Sequence, residues 1–376
     1  MKRIGILGST GSIGRMALQV IRHLKGHVTA LAAKSNIDLL EEQAKEFRPE
    51  LVAVWDEAKA KELQARMPDI PVLAGESGVI AAATHSSTEL LLSAISGFEG
   101  VLPTLRAIEA KKDIALANKE VLVAAGRLVL DLCEKMGVSL IPVDSEHTAI
   151  FQCLKGEDMR EARRIILTAS GGPFREYSQE RLAAIGIEDA LTHPNYSMGA
   201  KVTIDSSTLM NKGLEMIETH FLYDMPLEKI EVVIHPEQVI HSMVEFIDGS
   251  IMAQMGEPDM LVPIQVALTH PVRKEGLLKP YDFTRTFALH FSPCDTARFR
   301  CLDLAYQSLR EKPSMPCFMN AANETLVERF LNKEISWLDI SQKLEMLMQQ
   351  HSAFSPKQYD ELASVDLEAR QLAQGI

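Results

Sequence analysis

Residues 3–14, which read RIGILGSTGSIG, decide the fold of the first third of this chain. The apolar start of this stretch predicts a buried strand, and the apolar periodicity of residues 16–24 predicts the helix that follows. Between them, Gly8, Gly11 and Gly14 form a G-x-x-G-x-x-G pattern, a relative of the fingerprint that marks dinucleotide-binding sites. In such sites the glycines let the backbone approach a pyrophosphate, which lies at the helix N-terminus. The alternative is a glycine-rich turn that holds no ligand.

Apolar runs alternate with helical patterns up to about residue 143, and this alternation predicts an α/β fold with a doubly wound, Rossmann-like parallel sheet. The second strand, predicted over 28–32, is followed by Lys34, Ser35 and Asn36. An NAD site would place Asp or Glu here to hold the ribose hydroxyls, whereas a cation with neighbouring donors suits the 2′-phosphate of NADPH. The sequence therefore predicts NADPH as the cofactor.

Two loops that follow later strands, at 96–97 and 118–120, are expected at the edge where doubly wound sheets bind ligands. Lys119 stands at the predicted start of a helix, where a cation is electrostatically unfavourable. This position favours a functional role for Lys119, and the alternative is a surface lysine. A helix nearer the N-terminus is predicted to start at Leu39, with Asp38 as its cap.

The composition indicates a soluble, cytoplasmic protein of two or three domains. The chain has 376 residues, more than one hydrophobic core ordinarily serves. Its formal net charge of -12 argues against a nucleic-acid partner, because there is no excess of Lys and Arg to neutralise phosphates. Five cysteines without paired metal spacing indicate reduced thiols. The chain opens directly with a strand, which predicts no signal peptide, and no apolar run approaches the ~20 residues that span a bilayer.

Two carboxylates follow the strand predicted at 139–143. Asp144 and Glu146 of the sequence DSEH would face one side of an extended segment, because residues i and i+2 of a strand point the same way. With Glu215 as a third ligand they would suit Mg²⁺ or Mn²⁺, which keep water ligands that a substrate can displace. The alternative is a solvated acidic turn. His147 is predicted to be structural, since no second histidine near it has the spacing of a zinc site.

Residues 205–215, DSSTLMNKGLE, bring hydroxyl, amide, ammonium and carboxylate groups together in one short stretch. A helix is predicted over 206–218, with the serine and threonine hydroxyls at its N-terminus, where amides and the helix dipole favour an anion. Asn211, Lys212 and Glu215 would then share one face. This pattern predicts a phosphate-binding site beside a metal, and the alternative is a capped helix with a polar surface.

The middle region is predicted to contain an antiparallel or mixed sheet. The patterns that indicate this sheet are at 231–235, 242–246 and 250–254, and separate strands are predicted at 164–169 and 201–204. The turn SGGP at 170–173 follows the strand at 164–169 and could bring amides and a hydroxyl close to an anion. The alternative is a tight turn that holds no ligand.

Residues 191–201, LTHPNYSMGAK, have the composition of a lid. His193, Tyr196 and Met198 would lie at the tip of this loop, and Gly199 would act as a hinge. Closure of such a lid covers the substrate. The alternative is a loop that packs into the core.

The chain resembles the 1-deoxy-D-xylulose 5-phosphate reductoisomerase family in six blocks that occur in the family's order, and NAANE at 320–324 extends the resemblance toward the C-terminus. The six blocks are GSTGSIG at 8–14, LANKE at 116–120, DSEH at 144–147, ASGGPF at 169–174, HPNYSMG at 193–199 and KVTIDSSTLMNKGLEMIE at 201–218. The resemblance implies that NADPH and a divalent metal (Mg²⁺ or Mn²⁺, possibly Co²⁺) support conversion of that phosphorylated ketose to 2-C-methyl-D-erythritol 4-phosphate. It also implies the non-mevalonate isoprenoid route and a homodimer.

The resemblance assigns roles to matching positions. The metal ligands are Asp144, Glu146 and Glu215. The substrate-binding residues are Ser145, Glu146, Ser170, His193, Ser206, Asn211, Lys212 and Glu215, of which Ser170, Ser206, Asn211 and Lys212 hold the phosphate. The candidates for catalytic groups are Lys119, His193 and Glu146. The cofactor-binding residues are Gly8, Ser9, Thr10, Gly11, Ser12, Ile13, Ala33, Lys34, Ser35, Asn36, Asn118, Lys119, Glu120 and Gly199. Two departures from the family pattern are Tyr196 in place of Trp and NAANETL in place of NAANEVA.

The last part of the chain is predicted to be a helical bundle. Its helices are predicted at 302–310, 321–331, 337–349 and 364–373. The predicted domains are an NADPH-binding domain at 1–143, an α+β catalytic and dimerisation domain at 144–280, a linker at 281–298 and a helical domain at 299–376. The residues alone leave two alternative functions. A semialdehyde or homoserine dehydrogenase would be a different two-domain NADP enzyme, of which the former needs a nucleophilic cysteine. A dinucleotide-binding redox sensor would need neither metal nor phosphate.

Overall fold

The computed structural model describes residues 1–192, 199–284 and 286–376, which form two compact units. The first unit comprises Met1–Val121, Val129–Thr148 and Asp259–Tyr281. The second comprises Leu122–Leu128, Ala149–Pro258 and Asp282–Ile376. The finer division into four domains stays a prediction.

The first unit contains a seven-stranded parallel sheet, and the second contains a five-stranded mixed sheet. The seven strands are β1 Arg3–Leu7, β2 His27–Ala33, β3 Leu51–Val54, β4 Val72–Ala74, β5 Leu90–Ser93, β6 Asp113–Leu116 and β7 Leu140–Pro142. The five strands are β8 Ala162–Ala169, β9 Ile230–Ile234, β10 Ile240–Phe246, β11 Ile251–Met255 and β12 Ser292–Pro293. The predicted parallel and mixed sheets are both confirmed.

Helices connect the parallel strands and form most of the C-terminal part of the chain. They are α1 Ser12–His23, α2 Ile37–Phe47, α3 Glu57–Arg66, α4 Gly75–Ala83, α5 Val101–Glu109, α6 Glu120–Met136, α7 Ser145–Cys153, α8 Gln179–Leu182, α9 Ile187–Ala190, α10 Ala200–Thr208, α11 Met210–Tyr223, α12 Leu261–Thr269, α13 Arg300–Arg310, α14 Ser314–Leu331, α15 Trp337–Gln350 and α16 Tyr359–Gly375. Within the described ranges, none of these helices has both the length and the apolar character needed to cross a membrane.

The strand order of the parallel sheet locates its ligand-binding edge. The order is β4-β3-β2-β1-β5-β6-β7, so the chain winds outward from β1 on one side and restarts at β5 on the other. Ligands of open α/β sheets bind at such a reversal, outside the carboxyl ends of the strands. The loops after β1 and β5 therefore meet at the edge where the cofactor was predicted. Strands β3 and β5 are buried along their whole length, as expected for parallel strands covered on both faces.

In the second unit, β8 is parallel to β9 and antiparallel to β10, which gives the order β11-β10-β8-β9-β12. Helix α14 is buried over most of its length, and α13, α15 and α16 pack against it. This arrangement confirms the predicted C-terminal helical region. It also places the NAANE segment inside the core.

Two predicted elements between residues 200 and 223 are wrong. Residues 201–204 lie in α10 and do not form a strand. The single helix predicted over 206–218 is two helices, because Leu209 adopts a left-handed conformation with φ 61 between α10 and α11. Ser206 therefore lies near the C-terminal end of α10, just before the N-terminus of α11, and not in the first turn of the helix that carries Asn211 and Lys212.

Local hydrogen bonds and packing explain why α10 is helical despite its β-branched residues. Thr203 Oγ1 donates to the carbonyl of Gly199 at 3.0 Å, and Ser207 Oγ donates to the carbonyl of Ile204 at 2.7 Å. The hydroxyl groups are thus satisfied within the helix. Thr203 and Ile204 are both buried, so tertiary packing overrides the strand preference of their side chains.

Two local predictions near the ligand-binding edge also need correction. Helix α7 begins at Ser145, so Glu146 lies in its first turn and the segment is not extended. Helix α2 begins at Ile37, and its cap is Asn36, whose Oδ1 accepts a hydrogen bond from the amide of Leu39 at 3.2 Å. Asp38 lies inside the first turn, so the prediction that it caps the helix is wrong.

Candidate functional site

The turn after β1 needs glycine at two positions for steric reasons. Gly8 has φ 81, and a Cβ atom there would lie 2.4 Å from the carbonyl oxygen of Ala94. A Cβ atom on Gly14 would lie 2.3 Å from the carbonyl oxygen of Gly8. Gly11 is exposed and immediately precedes α1, whose first amides have no partner within the helix. This geometry fits a pyrophosphate at the N-terminus of α1.

The other predicted residues of this turn differ in exposure. Ser9 is buried, its carbonyl accepts a hydrogen bond from Gln43 Nε2 at 3.0 Å, and its hydroxyl has no partner among the described residues. Thr10 and Ile13 are half-buried, and Ser12 is exposed. The turn therefore presents mainly backbone to a ligand.

The residues after β2 provide one cation and backbone groups at the same edge. Ala33 is buried, and the carbonyl of Lys34 accepts a hydrogen bond from the amide of Asp56 at 3.0 Å. The Lys34 ammonium lies 3.3 Å from both carboxylate oxygens of Glu99. Ser35 is exposed, whereas the side chain of Asn36 caps α2.

Asn118 organises the loop after β5. Its Nδ2 donates to the carbonyl of Gly97 at 3.0 Å and also to the carbonyl of Ile95. Gly97 has φ 74, and a Cβ atom on Gly100 would collide with the Asn118 amide. Asn118 is 3% exposed, so its structural contribution is to hold this loop against the end of β6.

Lys119 and Asp144 form an ion pair at the carboxyl ends of β6 and β7. Lys119 Nζ lies 2.6 Å from Asp144 Oδ2, and both side chains are largely buried. Burial opposes ionisation of Asp144. The charge of Lys119, with smaller contributions from His147 and a hydrogen bond with Glu146, nevertheless holds the pKa of Asp144 well below its ordinary value. Asp144 is therefore an anion at neutral pH.

Asp144 and Glu146 present carboxylate oxygens to the same region, as the sequence predicted, although the segment is helical. Those oxygens lie within 4.8 Å of one another, close enough to share a cation. Ser145 Oγ donates to Glu146. An all-oxygen pair of this kind suits a hard divalent cation such as Mg²⁺. Glu120, which was predicted at the cofactor edge, is buried in the first turn of α6.

In the second unit, the N-terminal half of α11 buries a charged cluster. Lys212 and Glu215 have side chains that are 5% and 2% exposed, and Lys212 Nζ contacts Glu215 Oε2. Asn211 Nδ2 donates to Glu215 Oε1 at 2.6 Å. The predicted face of Asn211, Lys212 and Glu215 is present, because α11 begins before Asn211. Buried charges in such a cluster are unusual unless paired or bound to a ligand.

The turn after β8 lies against the end of α10. Gly171 and Gly172 have φ values of 80 and 67, and the amide of Gly172 donates to Ser170 Oγ at 3.2 Å. A Cβ atom on Gly172 would lie 2.6 Å from the carbonyl oxygen of Ser206. Glycine thus lets the turn with Ser170 approach Ser206, and two predicted phosphate ligands come from neighbouring segments.

Sequence reasoning missed the residues that hold α10 in place. Asp205 is 1% exposed, and its carboxylate accepts hydrogen bonds from Asn323 Nδ2 and Lys201 Nζ, each at 2.9 Å. Trp337 Nε1 donates to Ser207 Oγ at 2.9 Å. The NAANE block is part of the resemblance. Its second asparagine, Asn323, could have predicted a buried polar contact.

Several predicted residues lie outside the described ranges. These are His193, Tyr196 and Met198, so the lid and its predicted catalytic histidine stay predictions. Gly199 is described; it is exposed and is the N-cap residue of α10.

The cysteines do not provide an activated nucleophile. All five are free thiols, and burial raises the pKa of Cys133 and of Cys153 to about 11. The thiolate is the nucleophilic form, so these two thiols are unreactive at neutral pH. This chemistry disfavours the semialdehyde dehydrogenase alternative.

Three family models match almost the whole chain. The model of 1-deoxy-D-xylulose 5-phosphate reductoisomerase matches residues 4–126. The model of the C-terminal domain of the same enzyme matches residues 140–223, and a second DXP reductoisomerase C-terminal domain matches residues 255–372.

Relatives and solved structures agree with these matches over their full length. The 1-deoxy-D-xylulose 5-phosphate reductoisomerase of Protochlamydia amoebophila is 54% identical over 99% of this chain and 98% of its own. The enzyme of Geotalea daltonii is 51% identical over 97% and 96%.

Among solved structures, the reductoisomerase from Zymomonas mobilis in complex with NADPH has a TM-score of 0.93 and 40% identity, covering 100% of this chain and 98% of that one. A DOX-P reductoisomerase in complex with NADPH, fosmidomycin and magnesium has a TM-score of 0.92 and 36% identity, with the same coverage. The chain described above belongs to the 1-deoxy-D-xylulose 5-phosphate reductoisomerase family.

Proposed function

We propose that this protein uses NADPH and a divalent metal to rearrange and reduce 1-deoxy-D-xylulose 5-phosphate to 2-C-methyl-D-erythritol 4-phosphate, a step of non-mevalonate isoprenoid synthesis. The observation that carries the proposal is the likeness, over the whole chain, to a reductoisomerase solved with NADPH and magnesium. The local geometry of each unit supports it.

NADPH is assigned to the edge of the parallel sheet. Its pyrophosphate would lie over Gly11 at the N-terminus of α1, where amides and the helix dipole stabilise negative charge. Its 2′-phosphate would approach Lys34 and Ser35 after β2. The side chain of Asn36 would contribute its amide nitrogen, because its oxygen caps α2.

The proposed metal ligands are Asp144, Glu146 and Glu215. The carboxylate oxygens of the first two lie within 4.8 Å of one another, and the low pKa of Asp144 keeps it anionic, so the donor set fits Mg²⁺, Mn²⁺ or Co²⁺. When bound, the metal supplies a Lewis acid that polarises the substrate's oxygen atoms. Lys119 would stabilise the charge of Asp144, and Ser145 would orient Glu146.

The substrate phosphate is assigned to Ser170, Ser206, Asn211 and Lys212. Lys212 supplies the cation, and hydrogen bonds from an ammonium to a phosphate are about twice as strong as neutral ones. The glycine turn beside Ser206 lets the hydroxyl of Ser170 join the same group. Binding energy from this remote phosphate can orient the reacting carbons.

Proton transfer is assigned to groups beside the proposed metal ligands. Lys119, Glu146 and His193 are the candidates. Lys119 is a cation held by Asp144, so it can donate a hydrogen bond to an oxygen that gains negative charge. His193 would act from the lid, which would also exclude water from the reacting atoms.

Oxidation of NADPH in the presence of 1-deoxy-D-xylulose 5-phosphate tests the proposal directly. We expect absorbance at the NADPH band to fall only when Mg²⁺ or Mn²⁺ is added, and the product to be 2-C-methyl-D-erythritol 4-phosphate by mass spectrometry. Turnover that is equal after chelation of metal would overturn the metal assignment. Absence of turnover with either metal would overturn the proposed reaction.

Glu215→Gln is the sharpest variant for this assay, because it removes the charge while keeping nearly the same size. It retains one oxygen that can accept from Asn211 or Lys212 and replaces the other acceptor with an amide nitrogen. We expect kcat to fall by about a thousandfold, since a bound metal is worth several kcal/mol of transition-state stabilisation. NADPH affinity should be retained. The matched control is Glu228→Gln, which removes the same charge from an exposed position of the same unit.

We also propose that the protein is a homodimer in the cytoplasm. Strand β11 is the edge of the mixed sheet, and it exposes Ile251, Met252 and Met255. Exposed apolar edge strands tend to pair with another chain. Sedimentation equilibrium should give twice the chain mass of 41.7 kDa, and a mass of 41.7 kDa would contradict the dimer. The five free thiols fit a reducing compartment.

A further inference from the structure

One ion pair joins two loops at the edge of the parallel sheet. Lys34 follows β2, Glu99 follows β5, and the Lys34 ammonium lies 3.3 Å from both oxygens of the Glu99 carboxylate. The side chains are 71% and 48% exposed. The sequence predicted that Lys34 binds the 2′-phosphate of NADPH. In the structure, Lys34 is paired with a carboxylate of the same chain.

The backbone holds both residues at this edge. The carbonyl of Lys34 accepts a hydrogen bond from the amide of Asp56, which fixes the end of β2 to the end of β3. Glu99 lies in a short turn whose preceding residue, Phe98, is buried, and the loop is held through the carbonyl of Gly97 by Asn118. The pair therefore reflects the positions of two fixed backbone segments with solvent-exposed side chains.

We propose that Glu99 is a specificity-determining residue that weakens the preference of this protein for NADPH over NADH. The proposal rests on the assignment of NADPH to this edge. The 2′-phosphate of NADPH must displace the Glu99 carboxylate from Lys34 and then remain beside a like charge. NADH carries a hydroxyl at this position, which can donate a hydrogen bond to Glu99, as ribose hydroxyls do to the acidic residue of NAD sites.

The size of the effect follows from the exposure of the two side chains. Exposed ion pairs are weak, so removal of the Glu99 charge should change affinity by about two- to fivefold. Salt weakens interactions between exposed charges, so the effect should shrink as salt rises from about 0.02 M to about 0.5 M.

Isothermal titration of the full-length protein with NADPH and with NADH tests the proposal. We expect Glu99→Gln to bind NADPH about two- to fivefold more tightly at low salt and to bind NADH no more tightly than the parent. Glu99→Ala should act in the same direction. The matched control is Glu109→Gln, which removes the same charge at the far end of α5, where Glu109 pairs with Arg106; it should leave both dissociation constants unchanged.

Three outcomes overturn the proposal. They are an unchanged or weaker affinity of Glu99→Gln for NADPH, an equal gain for both nucleotides, and an equal gain in Glu109→Gln. Failure of the cofactor assignment itself would look different, because the parent would then bind neither nucleotide, or Lys34→Met would bind NADPH as tightly as the parent. Equal unfolding midpoints of parent and variants show that the fold is retained.

Discussion

The two units build their candidate sites from different materials. The candidate site of the first unit consists mainly of backbone groups. Gly8 and Gly14 leave no room for a Cβ atom, and the N-terminal amides of α1 lie beside them. The second unit offers buried side-chain charge, with Lys212 and Glu215 almost fully removed from solvent. We therefore expect ligand binding and stability at the first site to be lowered most by substitutions that add volume. At the second site, we expect stability and turnover to be lowered most by substitutions that remove charge.

The largest effect is expected from Lys212→Met. This change removes the cation from a cluster in which Glu215 is 2% exposed. Breaking a buried pair by removing one partner typically destabilises a protein by about 3–5 kcal/mol. We therefore expect the free energy of unfolding, measured by urea titration, to fall by about 3 kcal/mol.

The double variant Lys212→Met with Glu215→Gln separates stability from function. It leaves no lone charge in the cluster, so it should regain much of the lost stability. Its turnover should stay as low as that of Glu215→Gln alone. If Lys212→Met unfolds at the same urea concentration as the parent, the charge of Lys212 does not stabilise the protein. The proposed difference between the two units would then be wrong.

The first unit should respond to volume instead. A methyl group on Gly14 would lie 2.3 Å from the carbonyl of Gly8, so Gly14→Ala must displace the turn after β1. Forced overpacking of this kind costs about 1–3 kcal/mol. We expect a lower thermal unfolding midpoint and at least about tenfold weaker NADPH binding by fluorescence titration.

Gly11→Ala provides the control for that prediction. Gly11 has φ -74, which alanine adopts without strain, and its Cβ atom would lie 3.3 Å from the carbonyl oxygen of Gly8. We expect the unfolding midpoint of this variant to fall much less than that of Gly14→Ala, because only a small shift of the Gly8 carbonyl is needed. NADPH binding should weaken, because Gly11 lies where the pyrophosphate is proposed. An unfolding midpoint lowered as much as in Gly14→Ala would show that volume alone does not explain the first site.

The same contrast explains what could be predicted from the sequence. A site built from backbone can be predicted from a local pattern, because strand, glycine turn and helix are consecutive in the chain. The turn after β1 was predicted correctly, although α1 begins at Ser12 and not at the predicted residue 16. Helix α6 begins at Glu120, directly after Lys119, as predicted, although Ala125 with φ -132 interrupts its helical conformation. Asp144 and Glu146 were predicted on one side, although the reason given, an extended segment, was wrong.

The second site depends on contacts that no local pattern contains. Asp205 and Asn323 are 118 positions apart and meet only through the packing of α10 against α14. No local pattern marks the break at Leu209 either, because helix propensity alone would continue from Thr208 into Met210. The charges were recognisable as unusual residue types, but their burial was not.

The pH dependence of stability should depend on His351, a buried histidine at the end of α15. His351 is 9% exposed, and its Nε2 lies 2.9 Å from Ser314 Oγ. Burial lowers the pKa of His351 below its ordinary value of 6.5, despite the nearby charge of Glu368. The unfolded chain therefore binds a proton at a higher pH than the folded chain does.

The sign of the dependence follows from linkage. His351 should have no influence on stability well above pH 6.5, and should destabilise the fold as the pH falls below about 6.5, by at most about 1.4 kcal/mol per pH unit. The unfolding midpoint of His351→Gln should therefore fall less than that of the parent between pH 7.5 and pH 5.5. The control His27→Gln changes a half-exposed histidine and should track the parent. Parallel curves for His351→Gln and the parent would contradict this assignment.

The smallest effect is expected in the first unit, at helix α2. It tests whether a side chain stabilises this unit mainly through contacts with the local backbone. Asn36 caps α2 by accepting a hydrogen bond from the amide of Leu39, so Asn36→Ala should lower the free energy of unfolding by about 1 kcal/mol. Asp38 is inside the first turn and makes an exposed ion pair with Arg66, which is worth about 0.5 kcal/mol or less. Urea titration of Asn36→Ala and Asp38→Ala under the same conditions compares them directly. If Asp38→Ala lowers the free energy of unfolding by more than Asn36→Ala does, then Asp38 is the cap of α2, as the sequence pattern favoured, and the helix starts later than residue 37.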